Sequence, residues 1–227
     1  MIFDKNKYVC VDEYMSMKRI FSLLLAGWLV LPAVAVEKMR DVFAAMPDSV
    51  LGLMTKNNRL DCIDFIENNM EAKVRNRFDG YTVLTTMTDD YMDLQLTASC
   101  RVEMKLLPVA DSLSYVCMVC TYSSPVPESV LALYTTDWQV VAPDIMPEKP
   151  AYEAFWHTND TMDVEEVKAL QHLQDMRFVT AQLNKDDLSL TFTLQPGEVD
   201  KETAERMKTV LRPVTYRWSN GKFVHPE

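Results

Sequence analysis

Two cysteines three residues apart have the spacing in this chain that is closest to a known chemistry. Cys117 and Cys120 match the separation of thioredoxin-like redox pairs and of many metal sites. Redox pairs of this kind lie at a helix N-terminus, where the helix dipole lowers the pKa of a thiol. The neighbouring residues here are β-branched and aromatic, which favours a strand. An offset of three along a strand puts the two thiols on opposite faces, so we predict neither a redox pair nor a cofactor site.

The cysteines have a structural interpretation as well. Cys100 falls on the apolar side of one alternating strand, and Cys120 falls on the apolar side of the next. A turn centred near residue 110 would place Cys120 opposite Cys100. Two predictions follow and stay open: a cross-strand disulfide, or two buried free thiols. Cys62 and Cys117 receive no role.

Other residue types with catalytic or ligand chemistry lack the necessary spacing. His157, His172 and His225 lie far apart and do not form a His-Glu-x-x-His series. The chain has only five glycines, too few for a phosphate-binding loop or a nucleophile elbow. Its carboxylates are numerous, but the ligand series of a calcium loop is missing. We therefore predict no catalytic, metal-binding or cofactor-binding residue.

Residues 17–35 have the composition of an export signal. Met17-Lys18-Arg19 is a short basic start, Ile20 to Leu31 is an apolar run, and Ala33-Val34-Ala35 supplies the small residues that a signal peptidase reads. We expect cleavage after this site, a mature chain that begins at Val36, and a periplasmic or secreted location.

The alternative for this segment is a membrane anchor, because its apolar stretch is near the lower length limit for a bilayer span. Residues 1–16 are polar and acidic, where a signal peptide should be basic. Either translation begins at Met17 or the protein has a long leader.

Composition limits the partners. The chain has 23 basic and 33 acidic residues, for a formal net charge of −10. An acidic surface repels phosphate backbones and anionic lipid headgroups, so we predict no nucleic-acid partner and no membrane association after signal cleavage. The prolines between residues 143 and 150 predict a connector between two subdomains, which we place at residues 36–146 and 147–227.

The clearest structural pattern is a strict alternation from Met92 to Leu106. Even positions are apolar and odd positions are polar, which predicts one fifteen-residue strand with a dry face and a wet face. Residues 107–113 should form a turn, and Tyr115 to Tyr122 a returning strand. Leu188 to Gln195 repeats the alternation in the second half of the chain.

Amphipathic helices precede both hairpins. Apolar residues at helical spacing predict a helix over residues 60–74 with Asn58 as its N-cap. Asp163, with a glutamate three residues later, predicts a capping box, and residues 200–211 predict a further helix. Asn220-Gly221 predicts a tight hairpin.

A helix followed by a hairpin occurs in both residues 57–142 and residues 161–225. This similarity fits an internal duplication, although any two amphipathic hairpins look alike. The predicted fold class is α+β, with antiparallel sheets, amphipathic helices packed on one face, and two related subdomains.

Two segments have a distinctive sequence. Residues 46–74, which include Asn57-Asn58-Arg59-Leu60-Asp61, and residues 84–96 resemble a family of uncharacterised exported proteins of Bacteroides-type bacteria. The resemblance runs through most of the chain after residue 35. It implies a signal peptide and a periplasmic or secreted location. It implies no activity, because the family is known as a domain of unknown function.

These observations together predict a non-enzymatic protein-binding module of the periplasm or cell exterior. By analogy with small exported modules that bind through a sheet, the expected contact surface is the wet face, which carries Asp93, Gln95, Thr97, Arg101 and Glu103. Simple solvation of this face is the other interpretation. The partner itself is not indicated by the sequence.

The alternative function is a hydrolase that acts on an extracellular polymer through a carboxylate pair. Tyr152, Phe155 and Trp156 could then form an aromatic platform, although they equally suit packing of the connector against the core. A deep pocket with two facing carboxyl groups, one with a raised pKa, would favour the enzyme. A convex sheet without a pocket would favour binding.

Overall fold

Contacts between residues divide the chain after Ala35, and the unit that follows contains the described helices and strands. The computed structural model describes residues 37–110, 113–142, 145–159, 161–174 and 176–225. The predicted leader and signal peptide lie outside these residues, as do Asp111 and Ser112 in the predicted turn and residues 143–144 at the start of the connector.

The first half of the unit is a six-stranded antiparallel sheet with two helices. The strands are hydrogen-bonded in chain order, β1-β2-β3-β4-β5-β6. The elements are α1 (Met39–Ala45), α2 (Lys56–Glu67), β1 (Lys73–Arg75), β2 (Tyr81–Met87), β3 (Tyr91–Thr97), β4 (Cys100–Ala110), β5 (Leu113–Tyr122) and β6 (Glu128–Thr135).

The second half is a four-stranded antiparallel sheet in the order β10-β9-β8-β7, accompanied by two helices and one 3-10 turn. The elements are the 3-10 turn (Tyr152–Phe155), α3 (Val164–His172), β7 (Phe178–Leu183), β8 (Ser189–Gln195), α4 (Lys201–Val210), β9 (Val214–Ser219) and β10 (Lys222–Val224). The predicted α+β class with antiparallel sheets is therefore confirmed. The exact subdomain boundaries and the internal duplication stay predictions.

Helix starts follow from local hydrogen bonding. Asp163 caps α3 in a capping box with Glu166, as predicted. At α2 the predicted N-cap is wrong, because the cap is Thr55. Asn58 is the third helical residue, and its side chain returns a hydrogen bond to the Thr55 backbone N–H at 3.0 Å. Both residue types suit a cap, so the sequence located the helix start to within three residues.

The fifteen-residue strand predicted from Met92 to Leu106 is wrong, because the segment folds into the β3–β4 hairpin. The chain reverses at Ala98 and Ser99, and Leu94 pairs directly with Val102. Paired residues share a face of the sheet, so the alternation continues through the turn without a break. The even-numbered positions still form one apolar face. The turn predicted over residues 107–113 is also too long, since β4 continues to residue 110.

Two hydrophobic cores lie on opposite sides of the six-stranded sheet. The first packs the apolar face, including Met104, against Phe43 of α1 and residues of α2. The second joins Val119 of β5 to Phe192 of β8 and Met207 of α4. The centre of the sheet is consequently covered on both sides.

The end of the chain behaves as the sequence predicts. Asn220 and Gly221 have φ angles of 52° and 76°, which a type I′ turn between β9 and β10 requires.

In the described residues, no helix is both long and apolar enough to cross a lipid bilayer.

Candidate functional site

The register of β3 and β4 brings the predicted contact residues together on the side of the sheet away from α1 and α2. We call this side the polar face. Asp93 lies directly opposite Glu103, and Gln95 lies opposite Arg101. Thr97 sits at the end of β3, where the register shifts. Asp93, Gln95, Arg101 and Glu103 therefore form one cluster, whereas Thr97 pairs with Cys100 of the apolar face and lies outside it.

Arg101 is held in place by both carboxylates. Its Nε donates to Asp93 Oδ1 at 2.8 Å, and one terminal nitrogen donates to Asp93 Oδ2 at 3.0 Å and to Glu103 Oε1 at 3.2 Å. The two parallel bonds to Asp93 form the bidentate geometry that makes arginine–carboxylate pairs strong. The hydrogen bond to Asp93 raises the pKa of Arg101. The guanidinium is a fixed cation.

Glu103 is the buried member of the cluster, with only 1% of its side chain exposed. The Tyr91 hydroxyl donates to its Oε1 at 2.8 Å. Burial raises the pKa of Glu103, and the Tyr91 hydrogen bond and the Arg101 charge oppose that rise. Burial and the Glu103 hydrogen bond likewise raise the pKa of Tyr91. The pair is a buried acid and a phenol that does not ionise at physiological pH.

Strand β7 explains why polar residues of this face are buried, because it lies against β4, β5 and β6. The edge of β7 that faces away from β8 has backbone N–H and C=O groups that make no hydrogen bond to β8. Side chains of the polar face meet these groups at every second residue. The contacts are Ser129 with Ala181 and Glu103 with Leu183, and Lys105 reaches the Lys185 carbonyl two residues beyond the end of β7.

The distances show how firmly each contact is made. Ser129 Oγ accepts the Ala181 N–H at 2.9 Å, and Lys105 Nζ donates to the Lys185 carbonyl at 2.7 Å. The Leu183 backbone N–H lowers the pKa of Glu103, although Glu103 Oε2 has no partner in full hydrogen-bond geometry. The expectation of a hydrated face is therefore wrong at Glu103 and Lys105. Glu103 lies at the edge of β7, whereas Lys105 binds the Lys185 carbonyl beyond that strand and the Asp90 carboxylate at 2.8 Å. Both side chains are buried.

The remainder of the polar face is open to solvent. Tyr81 is 59% exposed and shares the side of Gln95, while the Lys73 ammonium lies 4.6 Å from the centre of the Tyr81 ring. The Arg101 side chain is 37% exposed and that of Asp93 is 18% exposed. We call this surface the open half-face; it comprises Lys73, Arg75, Tyr81, Asp93, Gln95 and Arg101.

A polar cavity of about 390 Å³ lies beside this network, where the β7–β8 hairpin meets β3. Tyr91 contributes to its wall. The other lining residues are Gln182, Leu183, Asn184, Lys185 and Thr191. Neither Asp93 nor Glu103 lines this cavity, so the facing carboxylates do not meet in it.

The predicted opposition of Cys100 and Cys120 is wrong. The register pairs Cys100 with Tyr122 and Cys120 with Val102. The two cysteines are therefore diagonal neighbours, whose Cα atoms are typically about 7–8 Å apart in a sheet. That separation is at or beyond the limit of about 7 Å for a disulfide. Both are free thiols, as are Cys62 and Cys117.

The thiols of the Cys117–Cys120 pair point to opposite faces, as predicted for a strand. Cys117 belongs to the core shared with the second sheet, and Cys120 packs against the core on the helix side. Burial raises the pKa of Cys117 to about 12 and that of Cys120 to about 11. Neither thiol is activated as a nucleophile.

No group of three or more His, Cys, Asp or Glu side chains in the described residues could hold a metal ion. The aromatic cluster of the connector packs inward: Phe155 is 1% exposed and Trp156 is 7% exposed. Tyr152 lies edge-on to Trp156, with ring centres 5.6 Å apart, and the Arg177 guanidinium lies 4.1 Å from the centre of the Tyr152 ring. The cluster packs the connector against the core and offers no open platform.

The distinctive Asn57–Asp61 segment also has a structural role. Arg59 is 1% exposed, and it donates to Asp48 at 2.9 Å, to the Met54 carbonyl at 3.3 Å and to the Met46 carbonyl. Arg77 reaches the other oxygen of Asp48 at 2.7 Å. The hydrogen bond from Arg59 lowers the pKa of Asp48. Arg59 therefore joins the loop before α2 to the helix through these hydrogen bonds.

Tyr91, Lys105 and Ser129 belong to the network, although sequence reasoning did not select them. The alternation predicts Lys105 on the wet face, and Tyr91 precedes the run by one residue, in phase with its odd-numbered positions. Ser129 gave no signal, because its partner Ala181 is 52 residues away. The alternation could therefore have identified two of the three.

The fold and this cluster define an α+β protein in which two antiparallel sheets meet through buried polar side chains. The chain belongs to the family described as protein of unknown function (DUF3256), which it matches over residues 32–223. The resemblance to an uncharacterised family is thereby confirmed, whereas export stays a prediction.

A solved domain of an uncharacterized protein from Porphyromonas gingivalis W83 is similar in structure. The TM-score is 0.69 at 24% sequence identity, and the match covers 85% of this chain and 99% of that one. At this identity the likeness shows a shared fold alone. No curated protein matches the chain.

Proposed function

We propose that the protein is a non-enzymatic protein-binding module of the periplasm or cell exterior, and that the open half-face is its contact surface. Tyr81 and Arg101 carry the proposal, because tyrosine and arginine are among the residues that dominate binding energy at protein interfaces. Tyr81 presents a largely exposed ring. Arg101 is already fixed by Asp93, so binding costs it little side-chain freedom.

The charges of the open half-face favour an acidic partner. Lys73, Arg75 and Arg101 contribute three cations, whereas Asp93 contributes the single carboxylate of the same surface. Asp79 in the β1–β2 turn neutralises Arg75 in part at 3.1 Å. A locally basic surface on a chain of net charge −10 suits a protein partner that presents carboxylates. Binding should weaken as salt concentration rises.

The same geometry argues against the hydrolase alternative. Asp93 and Glu103 face one another, and the pKa of Glu103 is raised, as a catalytic pair would require. Arg101 binds both carboxylates, however, and Glu103 is sealed under β7. A hydrolytic pair needs both carboxyl groups within reach of the scissile bond.

The proposed location rests on the signal-like residues 17–35.

Photo-crosslinking in native cells tests the proposal. A photoreactive phenylalanine analogue replaces Tyr81 in one strain and Tyr122 in another. Tyr122 is a matched control, because it is 51% exposed and lies on the opposite side of the sheet. We expect a repeatable protein partner from position 81 and none from position 122. Equal capture from both positions would contradict the proposal.

The captured partner is then purified and its affinity measured against two variants of the full chain. Tyr81→Ala should weaken binding about 30-fold or more, the effect of losing an interface tyrosine that contributes about 2 kcal/mol. Tyr122→Ala should bind as the wild type does. If the two variants bind equally well, the open half-face is not the contact surface.

A further inference from the structure

The turn between β1 and β2 presents an aromatic side chain to solvent. Phe78 is 83% exposed, and no other large apolar side chain in the described residues is exposed to that extent. Single apolar residues are common on protein surfaces and by themselves indicate no function. Phe78 differs from such residues because hydrogen bonds and ion pairs fix the turn that carries it.

The side chain of Asn76 fixes this turn from within. It is buried, and its Oδ1 accepts the backbone N–H groups of Phe78 and Gly80, each at 3.1 Å. Its Nδ2 lies 3.4 Å from the Thr82 hydroxyl and 3.5 Å from the Leu96 carbonyl. The backbone on both sides of Phe78 is therefore tied to strands β2 and β3.

Ion pairs hold the two residues that flank Phe78. Arg77 donates to the Asp48 carboxylate at 2.7 Å. Asp79 has a left-handed backbone with a φ of 61°, and its carboxylate pairs with Arg75 at 3.1 Å. A residue other than glycine keeps this conformation only where its surroundings hold it there. Because the turn is already ordered, a partner that covers the Phe78 ring pays little conformational entropy.

The charges of the β1–β2 hairpin favour an acidic protein partner. Residues 73–87 contain one carboxylate, Asp79, and three cations: Lys73, Arg75 and Arg77. Asp48 neutralises Arg77 only in part, because it also binds Arg59. This local excess of positive charge occurs on a chain of net charge −10. It is complementary to an apolar pocket with carboxylates at its rim.

We propose that Phe78 is the anchor residue of the contact surface: its ring enters an apolar pocket on an acidic protein partner, whose carboxylates meet the neighbouring arginines. This inference rests on the proposed function, because the same hairpin supplies Lys73, Arg75 and Tyr81 to the open half-face. Phenylalanine is enriched at protein interfaces, where its buried ring contributes a large apolar area.

A lipid bilayer fits this turn less well than a protein does. A single ring buries far less apolar surface than the amphipathic helices that hold proteins at a bilayer. The net charge of −10 also opposes approach to anionic headgroups.

Photo-crosslinking with the phenylalanine analogue at position 78 tests the anchor. Val140 is the matched control position, because it is 80% exposed and follows β6, at the other edge of the sheet from β1. We expect position 78 to capture the same protein as position 81, and position 140 to capture none. Capture from position 81 alone would overturn the anchor and leave the proposed function intact. Capture from neither position would overturn both.

Affinity for the purified captured protein completes the test. Phe78→Ala should weaken binding by about 30-fold or more, as expected for an aromatic side chain that fills a pocket. Phe78→Leu, which keeps an apolar side chain, should lose less, and Val140→Ala should bind as the wild type does. Because Phe78 is exposed, its alanine variant should keep the wild-type Tm, so that weaker binding is not a result of unfolding.

Two results of these measurements would overturn the anchor. The first is equal affinity of Phe78→Ala and Val140→Ala for the captured protein. The second is binding of the wild-type chain to vesicles of phosphatidylethanolamine and phosphatidylglycerol that Phe78→Ala abolishes, because the ring would then insert into lipid. We expect neither chain to sediment with these vesicles.

Discussion

Ser129→Ala tests whether hydrogen bonds hold β7 on the polar face. Ser129 is 1% exposed, and its Oγ accepts the Ala181 N–H at 2.9 Å. The same Oγ lies 3.4 Å from the Ala181 carbonyl and 2.7 Å from the Thr121 hydroxyl. An alanine methyl can neither accept nor donate a hydrogen bond. The substitution leaves a buried backbone N–H without a partner.

The expected loss of stability comes mainly from the unpaired Ala181 N–H. A buried donor without a partner costs about 1–3 kcal/mol. The carbonyl adds little, because its contact at 3.4 Å is already long. We expect the free energy of unfolding to fall by about 1–3 kcal/mol. In a domain of this size, such a fall lowers Tm by about 2–12 °C.

Urea unfolding followed by tryptophan fluorescence measures the change. The matched control is Ser123→Ala, because Ser123 is exposed and its Oγ donates to the Ser99 carbonyl at 3.1 Å. The control should lie within about 0.5 kcal/mol of the wild type. If Ser129→Ala unfolds at the same urea concentration as Ser123→Ala, the Ser129–Ala181 bond does not hold β7 in place.

Two more predictions concern buried side chains. Arg59→Ala removes the donor to two backbone carbonyls and to Asp48, so urea unfolding should show a loss of about 2–5 kcal/mol. Arg77→Ala, which deletes a half-exposed partner of Asp48, should lose less than about 1 kcal/mol, and equal losses would contradict this role for Arg59. Iodoacetamide labelling of the native protein, read by mass spectrometry, should modify Cys120 before Cys117, because Cys117 is fully buried and burial raises its pKa to about 12. Labelling of Cys117 at the rate seen in denaturant would show that the core around it is open.

Local hydrogen bonding made the start of α3 predictable. The Asp163 capping box lies within four consecutive residues, so the sequence contains all of it. The β3–β4 turn is the opposite case. Ala98 and Ser99 are not the glycine, proline or asparagine that usually mark a tight turn. Since the turn also preserves the apolar alternation, neither composition nor periodicity could reveal it.

The burial of the polar face could not be read from alternation. A polar residue at every second position normally indicates a strand side that faces water. Lys105 meets a backbone carbonyl 80 residues further along the chain, and Ser129 meets one 52 residues away. Contacts of this kind depend on how two sheets pack, which a single sequence does not encode locally. The predicted opposition of Cys100 and Cys120 is also wrong, because β4 extends further towards its turn than the composition suggests.

The side chains that cover the outer edge of β7 also have a consequence for self-association. An uncovered strand edge is a template on which another polypeptide can add a strand, and chains of such additions become fibrils. Ser129 and Glu103 occupy that template with groups from the same molecule. Conditions that lift β7 away would therefore open the second core and favour insoluble polymer at high protein concentration, before the first core has unfolded.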